Sequence, residues 1–421
     1  MNVLMYNLAF FCFMIVSLPF LLTKGKGGVR RIKERLLCPL SEGWNPEGRP
    51  VVWVHAVSVG EVMAAVPFIE VMERRWGETC QVVLSTVTAT GLQTARALRK
   101  GRQRVIYAPA DFSWVVRRFI RILQPKIYVV METEWWPNLY VALHQNGIPI
   151  VVVNGRVSDA SFRGYRRIRD WTADILRRVA AFYMQSQRDA DRVTALGAST
   201  DRVWVTGNMK FDNVALARNP EDFPVKKGLA CWVAGSTHPG EEAILLEIYR
   251  RLRQDVAELA LILAPRHVER ADQVVALARS QGFSVKRFSE TGLDRPMQAG
   301  EVMVIDTLGV LKRVYSLASV VFVGKSFRVG GGQNMIEPAA LGKPVFVGPR
   351  TQNFRDVMQL FLQDSAIRQV NTPDELYEGM LQGFREPETW RQMGRRAQQV
   401  VKKQQGATAR VVSALEEVWR P

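Results

Sequence analysis

Three short runs in the first half of the chain combine carboxylates, hydroxyls and cations at spacings that could do chemistry. His55-Ala56-Val57-Ser58-Val59-Gly60-Glu61 closes an apolar run; Gly60 permits a tight turn and Glu61 opens a helix reaching to about Arg75. A carboxylate at the mouth of a cleft can act as a general base. Ser58-x-x-Glu61 is also the spacing of a capping box, so catalysis and helix capping both remain open. Met131-Glu132-Thr133-Glu134-Trp135-Trp136-Pro137-Asn138 puts two carboxylates where an apolar run ends. Functional groups of α/β domains gather at that end of a strand. The competing reading is helix-opening charge ahead of Pro137, with the tryptophans in the core. Gly207-Asn208-Met209-Lys210-Phe211-Asp212 offers a cation in a turn, either in a cleft wall or as a plain hinge.

The second half carries its own constellation. Gly235-Ser236-Thr237-His238, Pro265-Arg266-His267 and Asp306-Thr307-Leu308-Gly309 each follow an apolar run. The tract from Val320 to Gly348 adds Gly324-Lys325-Ser326, the glycines Gly330, Gly331 and Gly332, and a segment of helical character from Gln333 to Leu341 containing Asn334 and Glu337. Glycines at a strand-to-helix turn let backbone N–H groups approach a ligand, and a helix presents its positive dipole end there. Arg266 as a planar fork and Lys325 as a point charge suit a phosphate. Glu337 could accept hydrogen bonds from a sugar hydroxyl. Four such strand ends outline a nucleotide or nucleotide-sugar site.

The elements that must position these groups are legible as apolar β-rich runs alternating with helical patterns. The strand candidates are 51–57, 81–85, 105–107, 127–131, 148–153, 182–185 and 203–206, then 231–234, 260–264, 284–288, 302–305, 320–323 and 344–347. They read as continuous hydrophobics, the pattern of strands buried on both faces of a parallel sheet. The expected architecture is α/β: two Rossmann-like, doubly wound domains facing across a cleft, covering 24–214 and 215–421. The boundary falls in the polar, proline-bearing stretch Asn213–Gly228, and the last helix is a candidate to pack back on the first domain.

Residues 1–23 have no charged side chain, and Val3–Leu22 has about the length a bilayer core requires, roughly 20 residues. Lys24, Lys26, Arg30, Arg31, Lys33 and Arg35 follow, which by the positive-inside rule keeps the rest of the chain on the cytoplasmic side. We therefore expect a membrane anchor over 1–23, with anionic lipid attracted to the adjoining cations. The net charge of +17 is uneven: residues 1–214 carry 29 basic and 17 acidic side chains, against 28 and 23 in the remainder. A basic first half fits a polyanionic partner. Nucleic acid is not expected, because the basic residues form no motif with interleaved aromatics. Cys12, Cys38, Cys80 and Cys231 form no pair suggestive of a disulfide framework, and the four histidines have no metal-ligand spacing.

Taken in order, these residues resemble the Kdo transferases of lipopolysaccharide assembly, which add 3-deoxy-D-manno-oct-2-ulosonic acid to lipid A precursor. The resemblance rests on Ser58-Val59-Gly60-Glu61, Met131-Glu132-Thr133-Glu134 with Trp136-Pro137-Asn138, Gly207 with Lys210-Phe211-Asp212, Ser236-Thr237-His238, Pro265-Arg266-His267, Gly331-Gly332 with Asn334 and Glu337, Gly348-Pro349 and Asn353-Phe354. It implies a GT-B glycosyltransferase of the bacterial inner membrane, with a CMP-Kdo donor, a tetraacyl-disaccharide bisphosphate acceptor, inversion at the anomeric centre and neither metal nor cofactor. Glu61 would be the base, with Ser58, Gly60, Glu132 and Glu134 around the acceptor. Lys210, Ser236, Thr237, His238, Arg266, His267, Gly309, Gly324, Lys325, Ser326, Gly331, Gly332, Gln333, Asn334 and Glu337 would contact the donor. The chain departs from the family at Gln333 and Arg350, where many members have His, and at Val310, where an acidic residue is usual. Without the resemblance, the glycine tract also fits an enzyme of UDP-sugars, a transferase or an epimerase.

Overall fold

A computed structural model describes residues 5–8, 10–12, 14, 26–40, 44, 46, 48–99, 103–214, 228–291 and 296–419. The chain divides into two compact units, Met1–Asn213 with Gln405–Pro421, and Val214–Gln404.

The first unit is a seven-stranded sheet formed by β1 (Val51–His55), β2 (Gln81–Thr86), β3 (Arg104–Tyr107), β4 (Pro125–Met131), β5 (Ile150–Gly155), β6 (Ala181–Met184) and β7 (Val203–Val205). The strand order is β3-β2-β1-β4-β5-β6-β7, and every pairing is parallel. Parallel strands need helices on both faces, and the core shows them: Trp53, Tyr128 and Val130 enter one buried cluster, while Val52, Val54 and Val129 enter another. The strand period of two thus sends alternate side chains to opposite faces.

The helix Val59–Trp76 buries Val62, Ala65, Phe68, Ile69, Met72 and Trp76, a stripe at the i, i+3, i+4, i+7 spacing of an amphipathic helix. The C-terminal helix Ala407–Val418 adds Ala407, Val411, Val412 and Leu415 to the same core. Asp212 fastens it: its two carboxylate oxygens accept from the N–H groups of Gly406 and Thr408, at 2.6 Å each. These are donors that a helix start leaves without intrahelical partners.

The second unit repeats the scheme with β8 (Ala230–Thr237), β9 (Leu259–Pro265), β10 (Ser284–Arg287), β11 (Glu301–Val304), β12 (Val320–Val323), β13 (Val345–Val347) and β14 (Arg368–Gln369). The order is β10-β11-β9-β8-β12-β13-β14, again all parallel. Each sheet has a point where strand order reverses, β1/β4 in the first unit and β8/β12 in the second; in open α/β sheets ligands bind outside the carboxyl ends there.

Two expectations change. The helix placed over Gln333–Leu341 is only Ile336–Ala340, five residues, with Met335 as its cap. The expected anchor over 1–23 lies largely outside the described residues, and among the described residues no helix is long and apolar enough to cross a membrane.

Candidate functional site

The switch point of the first unit is a carboxylate cluster. β1 and β4 run side by side, with His55 in register with Val130, so the turn leading to Glu61 adjoins the turn that starts at Glu132. The cap forms with its reciprocal bond shifted by one residue from a standard capping box: Ser58, extended at φ −119°, accepts from the Glu61 N–H at 3.5 Å, and its Oγ donates to Glu61 Oε1 at 3.0 Å. Glu61 Oε2 accepts from the Val57 N–H at 2.7 Å. The cap therefore aims the carboxylate without neutralising it. Burial pushes Glu61 up to about 7, with the nearby charges of Glu132 and Glu134 adding to the rise and the Val57 and Ser58 bonds opposing it. Glu134 is likewise pushed up to about 7, by burial first and Glu132 second. A carboxyl group that titrates near neutrality is matched to proton transfer.

Glu132 sits in the left-handed region at φ 57° while its N–H still donates to Val153 O at 2.9 Å. A non-glycine residue held there is the kind of strain that gathers at functional sites. Lys210, expected to face the donor, pairs with Glu132 Oε1 at 3.2 Å within the first unit. It is delivered by Asn154, whose buried Oδ1 accepts from the Met209 N–H at 3.0 Å, and by Asn208, whose Oδ1 accepts from the Lys210 N–H at 2.9 Å. The tryptophans lie partly buried against the core, Trp135 with its ring 4.1 Å from that of Tyr165. His55 is a core histidine: its Nδ1 is 2.9 Å from Ser85 Oγ, and burial pushes it down to about 3.

In the second unit the strands β11, β9, β8 and β12 are consecutive neighbours, so the four strand ends singled out from sequence share one edge. Ser236 and Lys325 face each other across the switch point, both left-handed at φ 56° and 58°. The residue that binds this edge together is Glu241, fully buried at the start of the helix Glu241–Asp255. One of its oxygens accepts from the N–H groups of His238 at 2.9 Å and Lys325 at 2.8 Å; the other accepts from those of Ser326 at 2.8 Å and Phe327 at 2.9 Å. Gly324 is small because it must be: a Cβ there would lie 2.6 Å from Ser236 O and 2.8 Å from Glu241 Oε2. Glu242, also buried, receives Thr237 Oγ1 at 2.9 Å and Arg270 at 2.9 Å, joining the ends of β8 and β9.

Several expected ligand contacts are thereby redefined. Thr237 is buried with its hydroxyl on Glu242, and Ser326 is buried with its hydroxyl donating to Val323 O at 2.7 Å and accepting from Gly348 N at 2.9 Å. Both side chains are engaged in holding the edge. His238 and His267 approach with ring centroids 5.9 Å apart, and burial lowers the His238 pKa. Arg266 and Gly309 are exposed, and Gly309 lies beyond β11, the strand of the four farthest from the switch point. Gly332 N donates to Lys325 O at 2.8 Å, bringing the glycine turn back onto the Lys325 turn. Asn334 Nδ2 donates to Glu337 Oε1 at 3.0 Å, and burial raises the Glu337 carboxyl. Sequence reasoning passed over Glu241, Glu242 and Asn154; the adjacent pair after Pro239-Gly240 looks like ordinary acidic residues in a helix first turn.

A family profile described as 3-deoxy-D-manno-octulosonic-acid transferase (kdotransferase) matches residues 30–213. The 3-deoxy-D-manno-octulosonic acid transferase of Haemophilus influenzae is 31% identical over 377 residues, covering 88% of this chain and 87% of that protein. The protein of the same description from Bordetella pertussis is 33% identical over 380 residues, covering 87% of each. Among solved structures, UDP-GlcNAc 2-epimerase from Neisseria meningitidis, bound to UDP-GlcNAc, aligns with a TM-score of 0.61 at 13% identity, over 87% of this chain and all of that one. At that identity the likeness is one of fold alone.

Proposed function

Since the chain belongs to the 3-deoxy-D-manno-octulosonic acid (Kdo) transferase family and is a glycosyltransferase, we propose that it moves Kdo from CMP-Kdo to a lipid A precursor at the inner membrane, with Glu61 as the general base. In the step we envisage, the acceptor hydroxyl oxygen forms a bond to the anomeric carbon of Kdo as the bond from that carbon to the CMP phosphate oxygen breaks. The electron pair of the broken bond leaves with CMP, the anomeric centre inverts, and the hydroxyl proton passes to Glu61. No cofactor takes part.

The observation that carries this reading is the Glu61 carboxylate: aimed by Val57 and Ser58, raised to about 7 by burial and by Glu132 and Glu134, at the switch point of a unit matched by the family profile. Glu132, Glu134 and Lys210 then shape the acceptor pocket. Arg266 and Lys325 take the CMP phosphate, where preorganised cations stabilise the departing charge. Glu337 takes the ribose, as acidic residues do in other Rossmann sites. The uncharged run Val3–Leu22 and the cations after it hold the first unit at anionic lipid on the cytoplasmic side.

The pH dependence of transfer tests the assignment. Glu61 acts ionised, so kcat/KM rises with pH, falling about tenfold per unit below an apparent pKa near 7 that belongs to the Glu61–Glu134 pair. A profile flat through neutrality and bending only in the ordinary carboxylate range would contradict it.

A further inference from the structure

The described part of the N-terminal segment is fastened into the first unit by polar side chains. Asp111, 1% exposed, accepts from the N–H groups of Asn138 at 3.1 Å and Leu139 at 2.9 Å. It thereby satisfies the free donors in the first turn of the helix Pro137–Gln145. The Tyr6 hydroxyl lies beside the same carboxylate. Asn7 sits beside it: its Oδ1 accepts from Asn138 Nδ2 at 2.8 Å, and its Nδ2 donates to Ser113 Oγ at 3.1 Å. Ser113 in turn opens the helix Ser113–Leu123. Rings extend the contact, with Tyr6 against Trp171 at 6.2 Å and Phe10 against Phe112 at 5.0 Å. Met5, Leu8 and Phe11, three residues apart, stay exposed at 68%, 64% and 51%.

A tether needs only the apolar face. The second, hydrogen-bonding face calls for another role, and its partners name one. Pro137 follows directly on the Glu132–Trp136 loop, and Tyr140, one turn into the helix, donates its hydroxyl to Glu134 O at 2.9 Å. We infer that Tyr6 and Asn7 are positioning residues: seated on Asp111, Ser113 and Asn138, they fix the start of the helix Pro137–Gln145 and with it the loop that presents Glu132 and Glu134. This rests on the reading above that Glu132 and Glu134 shape the acceptor pocket. The N-terminal segment would then order the acceptor loop as well as hold the enzyme at the bilayer, and an enzyme whose segment is unseated would bind lipid acceptor poorly while handling its nucleotide donor normally.

The test uses the full-length chain carrying Asn7→Ala or Tyr6→Phe, both of which keep the segment uncharged. The acceptor KM is expected to rise about tenfold or more, the scale on which misplaced groups lose effect. The CMP-Kdo KM and co-flotation with phosphatidylethanolamine–phosphatidylglycerol vesicles are expected to stay unchanged. Mere destabilisation would lower the active fraction without moving one KM selectively. An unchanged acceptor KM in both variants, or loss of flotation in step with activity, would overturn the inference. Glu134→Gln separates the two readings. If it raises the acceptor KM while Asn7→Ala does not, the positioning role fails; if it leaves the acceptor KM alone, the acceptor-pocket reading fails.

Discussion

Replacing Glu61 by glutamine lowers kcat by about 10²–10⁴-fold, the usual worth of a general base, and leaves the helix it opens intact. The variant isolates proton transfer because glutamine also serves in a capping box. Its amide oxygen can still accept from the Val57 N–H, which now reaches Glu61 Oε2 at 2.7 Å. What it cannot do is take a proton. The stability of the variant gives an independent check on sign. In the folded wild type Glu61 titrates at about 7, above its ordinary value of 4.5. A raised carboxyl pKa contributes stability that is fully present below the unfolded pKa and is lost as pH rises through the folded one. Glu61→Gln removes that dependence, so wild-type Tm relative to the variant should decline between about pH 4.5 and 7. An inactive variant that has also lost its thermal transition would mean that the cap, rather than the base, had been removed.

Replacing Glu241 by alanine releases the strand-end edge of the second unit that we assign to the donor. Four backbone N–H groups converge on this one buried carboxylate, and each unsatisfied buried donor costs about 1–3 kcal/mol. Even partial access of water leaves a loss of several kcal/mol, comparable with the whole stability of an ordinary domain at about 5–15 kcal/mol. The expected outcome is a large fall in Tm and loss of measurable CMP binding in calorimetry. Glu241→Gln should be intermediate, since one end of the amide still accepts two N–H groups while its NH₂ meets the other two donor to donor. Unaltered CMP affinity in the alanine variant would mean that Lys325–Phe327 is held without it.

Glu241 also shows where reading the sequence stops. The β-strands were legible because strands buried on both faces are continuous apolar runs: Val51–His55 and Val320–Val323 need no knowledge of their neighbours. Two-residue β14, Arg368–Gln369, has no such run and is visible only through its pairing with β13. The Glu61 carboxylate could be found, since Ser58-x-x-Glu61 is a local pattern, but its raised pKa depends first on burial in the folded unit and then on Glu132 and Glu134 arriving beside it after β4. Lys210 reads from the sequence as a cation suited to the donor; the turn through Asn154 and Asn208 that pairs it with Glu132 is a tertiary arrangement no local pattern shows. Glu241 has no local signature because its partners lie 84–86 residues away at Lys325–Phe327, with only His238 close in sequence. Ser326 and Thr237 stand among the expected donor contacts, and only the fold shows that their hydroxyls are taken by Val323 and Gly348, and by Glu242. Local chemistry names the candidates, and packing decides which of them can still reach a ligand.

The central claim, Kdo transfer from CMP-Kdo to a lipid A precursor, is tested most directly by mass spectrometry of the lipid after incubation with the full-length protein and both substrates. The lipid is expected to gain the mass of one or more Kdo residues, in step with released CMP, at a rate that collapses when Glu61 is replaced by glutamine. CMP release with no change in the mass of the lipid would contradict it.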